Sequence, residues 1–196
     1  VVLMSGTSWA GTSTRAHVVA PVGAVLTPSP RSLAAVSESE FSTHFLYDDE
    51  GRPLSLSGVE PKARPAACRA MVSRLGSPGR GGAPSPLEQE LAKVADSRRR
   101  RAILLVGSYK EAYTAAEVLH GMERWHGRVR VLTADDADLE QAVRGSAPPR
   151  SEADRVTALR RGDLAMFAQD PTAEVLVAPL MAVERGHNIL NAQRNA

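Results

Sequence analysis

The chain has 196 residues, 43% of them hydrophobic, so it is long enough to bury the core of one α/β domain and part of another. Its 24 basic and 22 acidic residues give a net charge of +2, which neither requires nor excludes a nucleic-acid partner. The single cysteine, Cys68, excludes an internal disulfide, the histidines show no metal-ligand spacing with it, and no apolar run reaches the roughly 18 residues of a spanning helix. We therefore predict a cytoplasmic, metal-free protein with no membrane contact.

The N-terminal region predicts a buried strand that carries a loop to the edge of a sheet. The apolar run of residues 1–4 has strand length and ends in a small polar turn at residues 5–8. Pro28 and Pro30 then interrupt regular structure, which indicates a crossing between two domains over residues 27–39. Because the chain opens directly on an apolar run and ends without a closing element, we expect that sequence has been cut away at both ends.

The middle of the chain predicts a hairpin or an extended arm, followed by two helices. Residues 41–47 and 54–56 flank a turn-rich stretch. Apolar residues recur at helical spacing over residues 62–75, until a Gly-Ser-Pro-Gly sequence ends the helix. Ser85 stands before a proline at the start of the next apolar stretch, so we predict a second helix over residues 87–94 that Ser85 caps.

The remainder of the chain alternates between strand-like and helix-like segments. Alternation of this kind predicts an α/β fold in which the strands are parallel, share one sheet and are joined by right-handed crossovers. The predicted strands are residues 102–106, 129–132 and 175–178, and the predicted helices are residues 111–122, 139–144 and 152–167.

Two predicted strand ends carry small polar residues with hydroxyl groups. The hydroxyls of Ser5-Gly6-Thr7 suit hydrogen bonds at a ligand-facing edge, although an ordinary strand-to-loop turn has the same composition. This triplet resembles motif III of superfamily 2 helicases, with Gly6 in place of the usual alanine. The strand of residues 103–106, followed by a Gly-Ser-Tyr turn, resembles motif IV of the same family. Ser108 in that turn either contacts a phosphate or caps the following helix.

The strongest pattern lies between residues 160 and 189, where a helix-like segment and an apolar strand precede a polar loop. In that loop Glu184-x-Gly186-x-Asn188 resembles motif V, which has an acidic residue, a glycine and an Asp or Asn at this spacing. Gly186 permits a positive φ, and the Asn188 amide both donates and accepts hydrogen bonds, which suits a relay between two ligands. Pro179 departs from the Thr or Ser that is usual before this motif.

A fourth pattern is the strand end at Thr133, where the family has a threonine that contacts the nucleic-acid backbone; Asp135 or Asp136 could equally cap a following helix. The resemblance covers nearly the whole chain, because these four patterns occur in the family's order. It implies that residues 1–39 are the end of a first RecA-like domain with its linker, and that residues 40–196 are a truncated second one. That second domain is the C-terminal domain of a P-loop NTPase helicase, an α/β domain with a parallel sheet and flanking helices. The implied coupling residues are Ser5, Gly6, Thr7, Glu184, Gly186 and Asn188, and the implied nucleic-acid-binding residues are Ser108, Thr133 and Arg185.

The implied activity is ATP-dependent movement along DNA or RNA, with ATP and Mg²⁺ bound by the full-length protein. The phosphate-loop and acidic Mg²⁺-binding motifs are missing from the sequence, and the chain ends before an arginine finger is expected, so the fragment alone should not bind or hydrolyse ATP. The sequence is also similar to helicases that accompany prokaryotic PIWI-type defence proteins. This likeness implies a PIWI-type or nuclease defence partner.

Two other classes of protein remain open. The sequence Gly6-x-Ser8-x-Ala10 nearly fits the nucleophile elbow of a serine hydrolase, with His187 as the base, but polar, turn-prone residues stand where the elbow needs a helix. A non-catalytic α/β binding module needs no catalytic residue at all.

An arginine run and two tryptophans also permit more than one interpretation. The four arginines at residues 98–101 either neutralise phosphates or form a solvated flank that protects the next strand from aggregation, and we favour the flank. Trp9 and Trp125 either stack on bases or pack in the interior, and we favour packing.

Overall fold

The structure is a computed structural model that describes residues 29–37, 40–135 and 156–183. The chain divides into two compact units, Val1–Thr43 and His44–Ala196. The first unit contains helix α1 (Pro30–Ser37), which begins inside the predicted domain crossing. Pro30 interrupts regular structure less than expected, because a proline in the first turn of a helix sacrifices no intrahelical hydrogen bond.

A four-stranded parallel sheet forms the centre of the second unit. Its order is β1-β4-β2-β3, so the last strand in sequence lies between the first two. The strands predicted at residues 102–106, 129–132 and 175–178, and their parallel arrangement, are confirmed, whereas the strand predicted at residues 1–4 lies outside the described residues. The four strands are β1 (Ala102–Val106), β2 (Val129–Leu132), β3 (Thr157–Leu159) and β4 (Val175–Pro179).

The first face of the sheet is covered by α4 (Tyr109–His120), which packs against β1, β2 and β4. Two further helices extend this layer: α2 (Arg64–Gly76) packs against α4, and α3 (Pro86–Ala92) packs against α2. Each overlaps a helix predicted from the sequence. Ser85 caps α3 as expected, because its hydroxyl accepts from the Glu88 N–H at 3.2 Å while the Glu88 carboxylate accepts from the Ser85 N–H at 2.8 Å. This capping box satisfies two amides that the helix itself cannot pair.

Trp125 anchors the first face. Its ring is fully buried, and its indole N–H donates to the Gly76 carbonyl at 2.8 Å. The predicted packing role of this tryptophan is confirmed. Gly76 must be small here, since a Cβ at this position would lie 2.6 Å from a methyl carbon of Leu119.

The second face is covered by α5 (Leu164–Gln169) and by the short helix α6 (Leu180–Val183). Leu164 and Phe167 of α5 pack in a buried cluster with side chains of β2 and β4. The described residues leave β1 open on this face, where Ile103 and Leu105 are 45% and 48% exposed. Among the described residues, the sheet is therefore covered more completely on the first face than on the second.

The two described crossover connections between parallel strands have the same handedness. From β1 to β2 it crosses the first face through α4, and from β3 to β4 it crosses the second face through α5 in the opposite direction. A reversal of both face and direction preserves the handedness, as the rule for parallel crossovers requires.

The prediction of one long helix over residues 152–167 is wrong. Thr157–Leu159 forms β3, which pairs with β2 in register, and a 3₁₀ turn at Arg161–Asp163 separates it from α5. Val156 packs on the first face and Leu159 on the second, which is the alternation of a strand. The same apolar spacing fits a helix, and only pairing with β2 distinguishes the two.

A short antiparallel bridge joins Tyr47 to Pro53, and the Leu54 N–H donates to the Leu46 carbonyl at 2.8 Å. The sequence predicted either a hairpin or an extended arm here, and the structure shows the hairpin. The helix predicted at residues 139–144 lies outside the described residues.

Candidate nucleic-acid interface at the carboxyl edge of the sheet

All four strands end at one edge of the sheet, which we call the carboxyl edge. In open α/β sheets, ligands bind at this edge, where neighbouring connections leave towards opposite faces. That condition is met between β1 and β4, because α4 follows β1 on the first face and α6 follows β4 on the second. Tyr109, the first residue of α4, packs against the second-face cluster and so lies at this crevice.

Ser108 is the first predicted site residue that the structure describes. It lies exposed after β1, and its hydroxyl accepts from the Glu111 N–H at 3.2 Å, which is the N-cap role. The hydroxyl proton is not used in this bond. The capping interpretation is confirmed, and a contact with nucleic acid stays a prediction.

The N-terminus of α4 is closed by the chain's own carboxylate. One oxygen of Glu111 accepts from the Gly107 N–H at 2.9 Å, and the other accepts from Arg64 at 2.9 and 3.0 Å. Gly107 is needed for this approach, because a Cβ there would lie 2.9 Å from the Glu111 oxygen. A phosphate at this helix end would meet a negative charge, so this turn does not suit phosphate binding.

Thr133 lies immediately after β2 on the same edge and is buried. Its N–H donates to the Leu159 carbonyl at 2.8 Å, and its hydroxyl donates to the same oxygen at 3.3 Å. These bonds extend the pairing of β2 with β3 by one residue. Thr133 thus contributes to the edge of the sheet, and a direct contact with a nucleic-acid backbone stays a prediction.

Two exposed arginines that the sequence reasoning assigned no role follow β3. Arg160 and Arg161 are exposed, and within residues 29–37, 40–135 and 156–183 neither has an ion-pair partner. The sequence predicted that both arginines lie within a helix, so it did not place them at the carboxyl edge of the sheet. Unpaired guanidinium groups at a ligand-binding edge are suited to contacts with phosphate.

The other predicted site residues lie outside the described residues. The same is true of the serine and histidine of the hydrolase alternative and of the first tryptophan. These residues are Ser5, Gly6, Thr7, Ser8, Trp9, Glu184, Arg185, Gly186, His187 and Asn188.

Within the described part of the chain, no group of three or more His, Cys, Asp or Glu side chains could hold a metal ion. The helices described there are all too short or too polar to cross a membrane. Cys68 is buried and unpaired with another cysteine, and burial raises the pKa of its thiol. None of these features marks a second site.

Comparison of the chain with models of protein families, with curated proteins and with solved structures finds no match. The fold itself defines the class of the protein as α/β, with an all-parallel four-stranded sheet and flanking helices.

Proposed function

We propose that this chain is part of an ATP-dependent nucleic-acid helicase or translocase. In this proposal residues 1–39 end the first RecA-like domain and residues 40–196 belong to the second. The observation that carries the proposal is the central position of β4 in the sheet. β4 ends between β1, which precedes Ser108, and β2, which precedes Thr133, and the segment that resembles motif V follows β4 in the sequence.

The charge of the carboxyl edge supports a nucleic-acid partner. Arg160 and Arg161 are exposed cations beside the buried end of β2, where Thr133 lies. Phosphate contacts from arginine supply most of the affinity for DNA or RNA and carry no sequence information, which suits a motor that steps along any sequence.

The α4 terminus supports an arrangement in which this domain does not hold ATP alone. Glu111 occupies the position that a phosphate would take in a nucleotide-binding turn. ATP and Mg²⁺ would be held chiefly by a phosphate loop and an acidic motif of the first domain. The resemblance to motif V assigns Gly186 and Asn188 to the coupling between nucleotide and nucleic acid. When bound, ATP supplies by its hydrolysis the free energy that moves the two domains.

Two further parts of the proposal depend on the sequence alone. The likeness to helicases of prokaryotic defence modules supports a PIWI-type or nuclease partner. The lone cysteine supports a cytoplasmic location.

The decisive experiment measures ATP hydrolysis by the intact protein with and without single-stranded DNA or RNA. We expect stimulation by at least one of the two. Asn188→Ala should lower the stimulated rate by about tenfold, the usual size of a coupling between two sites, and leave the thermal midpoint of unfolding nearly unchanged. Full stimulated hydrolysis and unwinding in Asn188→Ala would contradict the assignment of motif V.

The nucleic-acid side is tested by the double variant Arg160→Gln/Arg161→Gln. It should raise the DNA or RNA concentration needed for half-maximal stimulation. The matched control is Arg52→Gln/Arg80→Gln, which removes the same charge from exposed turns of the hairpin and of the α2–α3 connection. If both double variants raised this concentration equally, the effect would come from the net charge of the protein and not from a contact at the carboxyl edge.

A further inference from the structure

The opposite edge of the sheet, which we call the amino edge, gathers arginines that the proposed function does not use. Ala102, Val175 and Val129 are side by side in the register of β1, β4 and β2. The residues that precede them, Arg101, Glu174 and Arg128, therefore form a row along this edge. The arginine run at residues 98–101 begins at the β1 end of the row.

Two arginines of the run are held in place by neutral acceptors. The guanidinium of Arg100 donates twice to the Val94 carbonyl, at 3.0 and 3.1 Å. Arg101 donates to the Asp170 carbonyl at 3.0 Å and to the Arg98 carbonyl. A carbonyl orients a guanidinium without cancelling its charge. These side chains are therefore fixed in position and still carry a full positive charge.

The carboxylates that form ion pairs at this edge are too few to neutralise it. Glu174 pairs with Arg124 at 2.7 Å and with Arg128, Glu88 pairs with Arg124 at 3.1 Å, and Asp96 lies 3.3 Å from Arg98. Among the described residues, five arginines thus share three carboxylates. They are Arg98, Arg100, Arg101, Arg124 and Arg128.

Although the sequence alone favours a solvated flank for residues 98–101, these contacts support the other interpretation. We propose that the amino edge is a second nucleic-acid-binding surface, which contacts the phosphate backbone through Arg98, Arg99 and Arg100. The side chain of Arg98 is 63% exposed, and all three residues are exposed. Arg128, at the other end of the row, lies two strand spacings, or about 10 Å, from Arg101, so the row is longer than one phosphate group. The planar fork of arginine matches phosphate oxygens, and fixed forks lose less entropy on binding than free ones.

A nucleic acid is favoured over an acidic protein segment because the residues that form this surface in the described part of the chain supply charge and no exposed aromatic or aliphatic anchor. Protein interfaces depend on buried aromatic or aliphatic anchors, whereas non-specific nucleic-acid binding is almost wholly electrostatic. The surface also lies on the edge opposite to Arg160 and Arg161. A strand bound at the carboxyl edge therefore leaves this one available.

The test measures binding of the 196-residue chain to a fluorescein-labelled single-stranded 20-mer, as DNA and as RNA, by anisotropy between 50 and 200 mM salt (roughly the range over which counterion release is usually resolved). The variant Arg98→Gln/Arg99→Gln/Arg100→Gln should bind about tenfold more weakly at low salt. The slope of log K against log salt should become shallower by about 2, since each lost contact with a single strand removes about 0.7.

Matched controls separate local contacts from net charge and from damage to the fold. Arg52→Gln/Arg74→Gln/Arg80→Gln loses the same charge elsewhere and should keep the slope. The triple Arg→Lys variant at residues 98–100 should also keep it, because lysine retains the charge. Since Arg100 bonds to Val94, Arg98→Gln/Arg99→Gln is measured as well, with thermal unfolding for each protein.

Three results would overturn the inference: an unchanged slope in a folded triple-Gln variant, an equal loss in the matched charge control, or competition by poly-glutamate as strong as that by poly(U) or poly(dT). The proposed motor function is judged separately. If Arg160→Gln/Arg161→Gln alone abolished binding, the amino-edge surface would be refuted and the proposed motor function would stand. If the protein showed no stimulated ATPase but the triple-Gln variant still reduced the salt slope, the motor function would be refuted and the amino-edge surface would stand.

Discussion

The two faces of the sheet differ in how completely they are covered. On the first face, α4 packs against β1, β2 and β4, and α2 and α3 join it in the buried cluster around Trp125. On the second face, α5 and α6 cover β2 and β4, while Leu105 of β1 stays 48% exposed. Leu104 and Leu105 are adjacent and chemically identical, yet only Leu104 packs against a cluster. The residues of an apolar strand can all be buried, and the helices that pack on each face determine which of them are buried.

The largest expected effect is at the centre of the first face. Trp125→Ala should lower the free energy of unfolding by about 3–5 kcal/mol, because it removes a fully buried ring and leaves a cavity. The Gly76 carbonyl would also lose its 2.8 Å donor. Met166→Ala, on an exposed position of α5, is the control and should change stability by less than about 0.5 kcal/mol. Urea denaturation of both variants checks the contrast, and similar losses would erase the difference between the faces.

The second face contains a charged pair beside its apolar cluster. Arg130 is buried and bonds to Asp170 at 2.6 Å, to Thr172 at 2.7 Å and to the Gly127 carbonyl at 2.9 Å. Asp170→Ala should cost about 3 kcal/mol, since it strands a buried cation. The double variant Asp170→Ala/Arg130→Met should recover much of that loss, because it removes the cation as well. A double variant less stable than Asp170→Ala would contradict this account.

The same pair predicts that stability depends on pH. Partial burial raises the pKa of Asp170, but the hydrogen bonds from Thr172 and Arg130 outweigh it and lower the pKa to about 2. A carboxyl whose pKa is lowered by folding stabilises the native state above its ordinary pKa of 3.8, and this contribution is lost as the pH falls towards 2. The stability gap between the wild type and Asp170→Asn should therefore narrow from pH 5 to pH 2. A constant gap would show that the charge of Asp170 is not used.

The smallest expected effect is also the most direct comparison of the faces. Leu104→Thr should cost about 1–2 kcal/mol through lost apolar burial, and Leu105→Thr should change stability by no more than about 0.5 kcal/mol. Threonine keeps the preference for a strand, so backbone effects are matched. Chemical denaturation of the two variants is sufficient. An equal loss at both positions would mean that a further element covers the second face of β1.

The proposed surfaces follow the edges of the sheet and not its faces. At the carboxyl edge, Arg160 and Arg161 have no carboxylate partner among the described residues, and at the amino edge Arg100 and Arg101 are bound by carbonyls. Both arrangements leave positive charge accessible. The faces account for stability, and the edges are where we expect ligands.

Local patterns in the sequence determined much of the fold. The strands at residues 102–106, 129–132 and 175–178 were predictable because each is a short apolar run between turn residues, and their parallel arrangement followed from alternation with helices. The cap at Ser85 was predictable because its hydroxyl acts within one turn of helix. The position of Ser108 and Thr133 on one edge followed as well, since parallel strands end together.

Contacts between distant segments decided the rest. β3 is a strand because β2 offers its backbone a partner, and the apolar spacing of residues 156–167 fits a helix equally well. Arg130 is buried because Asp170 and Thr172, some forty residues later, satisfy its charge and its donors. Glu111 closes the turn after β1 only because Arg64 and the Gly107 amide converge on its carboxylate. These hydrogen bonds and this burial depend on three-dimensional distances between residues that are far apart in the sequence. They form only when the sheet and its helices have assembled.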